Sequence, residues 1–315
     1  MTSFSNAVPR IVVVGSVNID IVLSVAALPL PNETVLGRGS KTVVGGKGLN
    51  QAVAAARLGA ETYMVAAIGD DAFGDAARAH LVAQGVDASH VTMVAGMATG
   101  TAHILVADDA SNSIVVTPGA NAALTPAMVE DAADLIAGAD AVVVQLEVPL
   151  PTVRAALEIA RRHGVRTILN PAPSDKAALA LLPLADLVTP NETELASLTG
   201  IDGTNDAALH AALHDLTQHG AREVIVTLGP RGSATLVEGT LVFEPALRIK
   251  AVDTTGAGDV FNAALACELA RGLSLLRAMA FASAASAISV SRASADAAPT
   301  RDEVEAMLAH AGDRP

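Results

Sequence analysis

The sequence predicts an α/β fold of three layers, a mostly parallel sheet covered by helices on both faces, with a small antiparallel β lid. Three observations lead there. Short β-branched runs alternate with Ala- and Leu-rich helical stretches along most of the chain, which is the rhythm of βαβ units. Hydrophobic residues make up 51% of the 315 positions, enough to bury the continuous apolar strands that a parallel sheet requires. Two regions carry strands and turns without an intervening helix, and a plain βαβ chain does not produce these. Although a length prior of roughly 150 residues per domain allows two domains, the rhythm runs on without a linker or internal repeat. One domain over residues 1–315 is therefore expected.

In chain order, strands are expected at residues 11–15, 63–68, 141–146, 166–169, 187–189 and 223–228, each an aliphatic run of strand length. Helices are expected over residues 51–58, 76–83, 153–163 and 206–219. Their stops agree, because Arg57-Leu58-Gly59, His163-Gly164 and His219-Gly220 each end on a glycine able to take the left-handed cap conformation. Residues 19–25, 34–44 and 101–116 read as the strands of the smaller sheet, with turns at Leu30-Pro31-Asn32 and Asp108-Asp109. Lid strands thus lie approximately within 17–45 and 98–119. Such a flap is either a lid over a pocket or an ordinary edge hairpin. Its apolar face needs cover, for which a second subunit is one source.

Composition excludes several partners. Lys and Arg number 20 against 33 Asp and Glu, a formal charge of −13. That sign repels nucleic-acid backbones and anionic membranes. Aromatic residues are only 2% with no Trp, which argues against stacking platforms for single strands. An anionic ligand must therefore be held locally, and one of the four lysines, Lys47, stands in a glycine-rich run. The longest Ala-rich stretch, residues 278–290, is interrupted by Ser283, Ser286 and Ser289 and falls short of the roughly 20 apolar residues of a membrane helix. Residues 1–9 are short and polar, unlike a signal peptide. Cys267 is the single cysteine, so no intrachain disulfide forms and it reads as a small buried hydrophobe. A soluble protein of the reducing cytoplasm is expected.

Two motifs carry chemistry. Val252-Asp253-Thr254-Thr255-Gly256-Ala257-Gly258-Asp259 immediately precedes an apolar helix. Small residues at 256–258 leave backbone N–H groups uncovered where aligned peptides place about half a positive charge, a cradle for phosphate oxygens. Asp259 would repel such an anion, yet it suits a base that takes a hydroxyl proton as a phosphoryl group arrives. In isolation, a helix cap or first-turn acid is the simpler reading. The second motif, Gly45-Gly46-Lys47-Gly48-Leu49-Asn50-Gln51-Ala52, permits close backbone approach and offers the donors of Lys47 and Asn50. It lacks the Ser or Thr after Lys that a Walker A loop requires. Nor does Gly15-Ser16-Val17-Asn18-Ile19-Asp20, with one glycine where three are needed, form a dinucleotide fingerprint.

Together these stretches resemble the ribokinase (PfkB) family of carbohydrate kinases. Gly45, Gly46, Gly48, Asn50, Ala52, Gly59 and Gly69 follow the family's N-terminal signature, and residues 253–266 follow its C-terminal one. Within the family the ribokinase branch is resembled at Gly15-Ser16-Val17-Asn18-Ile19-Asp20, Pro118-Gly119-Ala120-Asn121-Ala122-Ala123-Leu124, Gln145-Leu146-Glu147, Asn170-Pro171-Ala172-Pro173 and Thr189-Pro190-Asn191-Glu192-Thr193-Glu194. The resemblance covers nearly the whole chain. It implies a ribokinase-like fold and ATP-dependent phosphorylation of D-ribose at its 5-hydroxyl. The alternatives are a family kinase for deoxyribose, fructose or a nucleoside such as adenosine, and a non-catalytic sugar-binding regulator.

The resemblance also implies roles. Asp259 is the base, with the amides of Gly256, Ala257 and Gly258 as the anion hole. Asn18, Asp20, Gly46, Lys47, Gly48, Leu49, Asn50 and Glu147 hold the sugar beside Asp259, and Asp20 has the acceptors that vicinal hydroxyls demand. Asn191, Thr227, Leu228, Gly229, Pro230, Arg231, Gly232, Gly258, Asp259 and Ser283 bind ATP. Asn191 and Glu194 orient Mg²⁺ largely through water, although their spacing also fits a capping box. A monovalent cation, K⁺, is implied at Asp253, Thr255, Ser289, Arg292, Ser294 and Ala298. Here the chain departs from the family, because Ala298 lacks a hydroxyl. The site implied is weaker, with Asp296 as a compensating acid. Pairing of lids into a homodimer is implied as well.

Overall fold

A computed structural model describes residues 7–109, 111–292 and 298–312. Strand β1 (Arg10–Val14) runs into β2 (Asn18–Val25) and β3 (Gly39–Gly45), followed by α1 (Lys47–Arg57). Next come β4 (Glu61–Gly69), α2 (Ala72–Ala83), β5 (Val86–Val94), β6 (Gly100–Ala107) and β7 (Asn112–Thr117). Short helices α3 (Pro126–Glu130) and α4 (Ala133–Ala137) precede β8 (Ala141–Val144), α5 (Leu150–Arg162), β9 (Arg166–Leu169) and β10 (Leu187–Val188). The chain continues through α6 (Glu192–Thr199), α7 (Asp206–Gln218), β11 (Glu223–Thr227), β12 (Ser233–Val237) and β13 (Thr240–Glu244). It closes with α8 (Ala257–Ala270), α9 (Leu275–Val290) and α10 (Arg301–Gly312).

The large sheet has the order β13-β12-β11-β10-β9-β8-β1-β4-β5, parallel from β5 to β11 and antiparallel at its β11-β12-β13 edge. Its central strands are apolar throughout because both faces are covered. Ile11 and Val13 pack with α1, α2, α8 and α9, whereas Val12 and Val14 pack with α5, α6 and α7. The period of two along a strand thus sorts one apolar run into two cores. The expected helix stops hold, with Gly59, Gly164 and Gly220 at φ of +82°, +71° and +100°.

The small sheet has the order β3-β2-β6-β7. Its outer pairs are antiparallel, but the central β2–β6 pair is parallel. Both strands leave the large sheet from the carboxyl ends of parallel strands, β1 and β5, and so emerge side by side in one direction. The strand expected over residues 34–44 begins only at Gly39. Its partner β2 ends at Val25, and Ser24 already faces Gly39 in register, so residues before Gly39 have no strand to pair with.

Helix α10 is fastened by a buried acid. The Glu268 side chain, 1% exposed on α8, accepts both guanidinium nitrogens of Arg301, and Arg271 stands 3.6 Å away. The Arg301 guanidinium also lies over the Phe281 ring at 5.1 Å. Arg301→Ala leaves the carboxylate short of its main partner, and about 3 kcal/mol of stability is expected to be lost. An unchanged urea midpoint would contradict this.

Candidate active site

The site forms where strand order reverses. From β1 the chain moves to β4 on one side and later returns to β8 on the other, and ligands collect outside the carboxyl ends of strands at such a point. Four strand ends place polar side chains there: Ser16 and Asn18 after β1, Gln145 and Glu147 after β8, Asn170 after β9 and Thr189 after β10. All but the half-buried Glu147 are buried.

The glycine loop 45–48 lies directly on the end of β1. Gly46 has φ of +96°, and a Cβ there would meet the Asn18 nitrogen at 2.7 Å; a Cβ on Gly48 would meet the Ser16 nitrogen at 2.5 Å. Glycine is required by this contact rather than by loop flexibility. Glu147 Oε2 fastens the loop, accepting from the Ser16 hydroxyl at 2.5 Å, the Lys47 N–H at 3.1 Å and Asn18 Nδ2 at 3.5 Å. Its Oε1 has no hydrogen-bond partner among the described residues. Asn18 Oδ1 accepts from Asn121 Nδ2 at 2.8 Å, and Asn121 brackets both backbone groups of Val17. Asn121 was not among the expected site residues, although it lies in one of the resembling stretches.

The Asp20 side chain has no hydrogen-bond partner among the described residues, which leaves its acceptors for a ligand. Burial, then the charges of Glu147 and Asp259, push its pKa up to about 6. Burial alone would lower the Lys47 ammonium, but Asp259, Glu147 and Glu194 hold it above its ordinary value. Leu49 departs from expectation. Its side chain is 1% exposed and belongs to the core; only its N–H serves the loop, donating to the Ser16 carbonyl at 2.9 Å.

Asp259 is 6% exposed in the first turn of α8, and Gly256 is the N-cap at φ +73°. Its carboxylate does not cap the helix. It accepts instead from Asn50 Nδ2 on Oδ2 at 3.0 Å and from Gln51 Nε2 on Oδ1 at 3.1 Å. Burial raises its pKa to about 6, against the lowering influence of Lys47, Asn50 and Gln51. The first-turn carbonyls are tied back: Ser286 donates to Ala257 O at 3.1 Å and Asn262 to Gly258 O at 2.8 Å. The N–H groups of Gly256, Gly258 and Asp259 have no partner among the described residues, whereas that of Ala257 makes a long bond of 3.3 Å to Thr254 O. A helix start with free amides favours an anion.

Beside this turn opens a cavity of about 510 Å³, a size suited to a nucleotide's base and sugar. Thr227, Gly229, Pro230, Gly232, Gly258 and Ser283 line it as expected. Leu228 and Arg231 do not. The Leu228 side chain is 1% exposed in the core, and Arg231 turns to Glu192 at 2.6 Å. Nor do Asn191 and Asp259 line this cavity. Its apolar wall of Leu247, Ile249, Phe261 and Val290 was missed: residues 245–250 have no regular structure to impose a pattern, and Phe261 and Val290 sit on the apolar helices α8 and α9, where they read as core.

Asn191 and Glu194 do form a capping box, Asn191 Oδ1 accepting from Glu194 N at 2.8 Å and Glu194 Oε2 from Asn191 N at 2.9 Å. Asn191 keeps only its amide NH₂, a donor that suits a phosphate oxygen or a water rather than a cation. Glu194 keeps Oε1, and burial raises its pKa while Asn191 and Lys47 act against the rise. One free carboxylate oxygen fits Mg²⁺, which retains several waters. Among the described residues no three His, Cys, Asp or Glu gather into a full protein cage.

Val252 and Asp253 meet the end of α9, their N–H groups donating to Val290 O at 2.7 and 3.2 Å. Asp253 Oδ1 accepts from Thr255 N at 2.8 Å, and Ser289 O from Arg292 N at 3.1 Å. The hydroxyl expected to complete the site is absent from Ala298, whose carbonyl accepts from the Arg57 guanidinium at 2.6 Å. Ser294 and Asp296 lie outside the described residues.

Comparison with known proteins agrees with this geometry. The profile of pfkB family carbohydrate kinases matches residues 8–302. The chain is 39% identical over 300 residues to the ribokinase of Haemophilus influenzae, covering 95% of this chain and 98% of that protein. It is 38% identical over 252 residues to the deoxyribokinase of Salmonella typhi, covering 80% and 82%. Among solved structures, Arabidopsis thaliana ribokinase complexed with ribose and ATP superposes with a TM-score of 0.89 at 33% identity, covering 96% of this chain and 99% of that one.

Asp20 and Asp259 take up protons in the folded state. Their contribution to stability is therefore complete below the ordinary carboxylate value of 3.8 and is lost as pH rises through about 6. Carbon-13 titration of the ligand-free protein should show two aspartate carboxyls with midpoints near 6. Midpoints all at or below the ordinary value would contradict the burial of these groups.

Proposed function

The chain belongs to the pfkB family of carbohydrate kinases, and we propose that it transfers the terminal phosphoryl group of ATP to the 5-hydroxyl of D-ribose, giving D-ribose 5-phosphate and ADP. The carrying observation is Asp259: a desolvated carboxylate in the first turn of α8, hydrogen-bonded to α1 through Asn50 and flanked by unpaired amides. Its pKa near 6 leaves it ionised at pH 7 yet basic enough to accept a proton.

The primary hydroxyl, placed beside Asp259, forms a bond to the γ-phosphorus as the bond to the ADP oxygen breaks, and its proton passes to the carboxylate. The amides of Gly256 and Gly258 hold the charge that grows on the phosphoryl oxygens. Lys47 adds a cation close to Asp259 and Glu147. Bound Mg²⁺ would screen the polyphosphate charge, held near Glu194 through water. Asp20 accepts from vicinal sugar hydroxyls, while Asn18 and the free Oε1 of Glu147 complete the polar set. The β2-β3-β6-β7 sheet closes over the sugar and excludes water that would otherwise hydrolyse ATP.

Three further parts of the reading follow. A monovalent cation such as K⁺ sits weakly by Asp253 and Thr255. The edge strand β7, exposed on both faces with Ile114 at 54%, Val115 at 60% and Val116 at 49% exposure, is covered by a second copy, forming a homodimer through the lid. The reaction belongs to the cytoplasm, consistent with a lone buried cysteine; among the described residues no helix is long and apolar enough to cross a membrane.

Coupled ADP release tests the reading. Ribose should exceed 2-deoxyribose in kcat/KM by about 10-fold to 100-fold, the range for one hydrogen bond to a charged group. A preference for 2-deoxyribose, fructose or adenosine would move the assignment within the family, and no turnover with any of them would leave a sugar-binding regulator. Asp259→Asn should lower kcat by roughly 10²–10⁴-fold with KM for ribose little changed, and near-normal turnover rejects the base. Added K⁺ should raise the rate; indifference to it removes the cation site.

A further inference from the structure

The two oxygens of Asp259 have unequal surroundings. Oδ2 meets Asn50, a partly exposed residue in the first turn of α1, whereas Oδ1 meets Gln51, whose side chain is fully buried. The orientation of the Gln51 amide follows from a chain of contacts that ends on a backbone group. Thr189 O can only accept, so Asn170 must turn its NH₂ toward it, at 3.2 Å. Asn170 Oδ1 then faces Gln51 and requires a donor, which Gln51 Nε2 supplies at 3.2 Å. The second proton of the same nitrogen points to Asp259 Oδ1 at 3.1 Å. Gln51 Oε1, on the other side, accepts from Gln145 Nε2 at 2.6 Å. Both donors and the acceptor of Gln51 are thereby engaged, and its amide cannot turn without leaving Asn170 or Asp259 facing another acceptor.

Resting on the reading of Asp259 as the base, we propose that Gln51 is a positioning residue that reserves Oδ1 of Asp259 and so makes Oδ2 the oxygen that receives the substrate proton. Three strand ends, through Gln145, Asn170 and Thr189, fix the amide and hence the rotation of the carboxylate plane. Asn50 holds Oδ2 until the sugar hydroxyl takes its place or shares the oxygen. A donor on the ionised form also keeps that form favoured. The charged groups facing Asp259 from its neighbours are Lys47 on α1, Glu147 after β8, Asp20 on β2 and Glu194 on α6. None is altered by a change at Gln51 to an uncharged residue.

Steady-state kinetics of the full chain with ribose and Mg-ATP tests this. Gln51→Leu is expected to lower kcat by about 10-fold to 100-fold, as for loss of one hydrogen bond to a charged group, with KM for ribose changed by less than about threefold. The acidic limb of the kcat/KM profile should move to higher pH, because a lost donor raises the carboxyl pKa. In an Asp259→Asn background the same substitution should have no further effect on the residual rate. Should Gln51→Leu not fold, the isosteric Gln51→Glu replaces it; it sets an acid against Oδ1, and the limb should again move upward. An unmoved limb with normal kcat, or an equal loss in the Asp259→Asn background, overturns the proposal. If Asp259→Asn itself turns over normally, it is the base assignment that fails.

Discussion

A carboxylate must stay ionised and oriented at a nearly dry junction, and most of the molecule can be understood from that requirement. Burial pushes Asp259 up to about 6, so without compensation it would be a protonated spectator. Compensation comes from one cation and two amides, all on α1: Lys47, Asn50 and Gln51. Helices α1 and α8 must therefore lie side by side, and Ala52, Ala55, Ala263, Ala264 and Cys267 are among the buried residues of the core they share. Cys267 reaches the Ala55 carbonyl at 3.9 Å, a contact that larger side chains would prevent.

The charge balance follows from the same constraint. Three acids, Asp259, Glu147 and Glu194, act on the half-buried Lys47, and Asp20 adds to the charge beside Glu147 and Asp259, an arrangement that disfavours a polyphosphate until local donors meet it. These donors are backbone amides at the start of α8 rather than a field of surface cations, in keeping with a formal charge of −13. Neutral dipoles fixed in place need little reorganisation as charge moves during the reaction. Glu147 is divided in the same way as Asp259: one oxygen fastens the glycine loop and the other is left for a ligand.

Much of this was legible in the residues. The βαβ rhythm, the glycine caps and the small sheet followed from period and turn chemistry. Whether Asp259 caps its helix was decided only in three dimensions, since a capping acid and a carboxylate turned toward a neighbouring helix occupy the same position in the sequence. Proximity within a motif misled at Leu49, Leu228 and Arg231, because a motif shows which residues are near a ligand but not which way each side chain faces. Asn121, Asn170 and Gln51 were illegible as site components for a related reason. A neutral amide in a helix or loop is ordinary, and its significance lies in side-chain partners 94 to 208 residues away or in backbone carbonyls, as the Gln51–Gln145 and Gln51–Asp259 bonds illustrate. Parallel pairing of β2 with β6 likewise depended on where both strands leave the large sheet.

A crystal structure of the protein with D-ribose and a non-hydrolysable ATP analogue tests the central claim most directly. The ribose 5-hydroxyl should lie within about 2.6–3.2 Å of Asp259 Oδ2, with Gln51 still on Oδ1 and the γ-phosphoryl oxygens on the free amides of the α8 start. A primary hydroxyl out of reach of that carboxylate, or a terminal phosphate bound away from α8, would contradict the account.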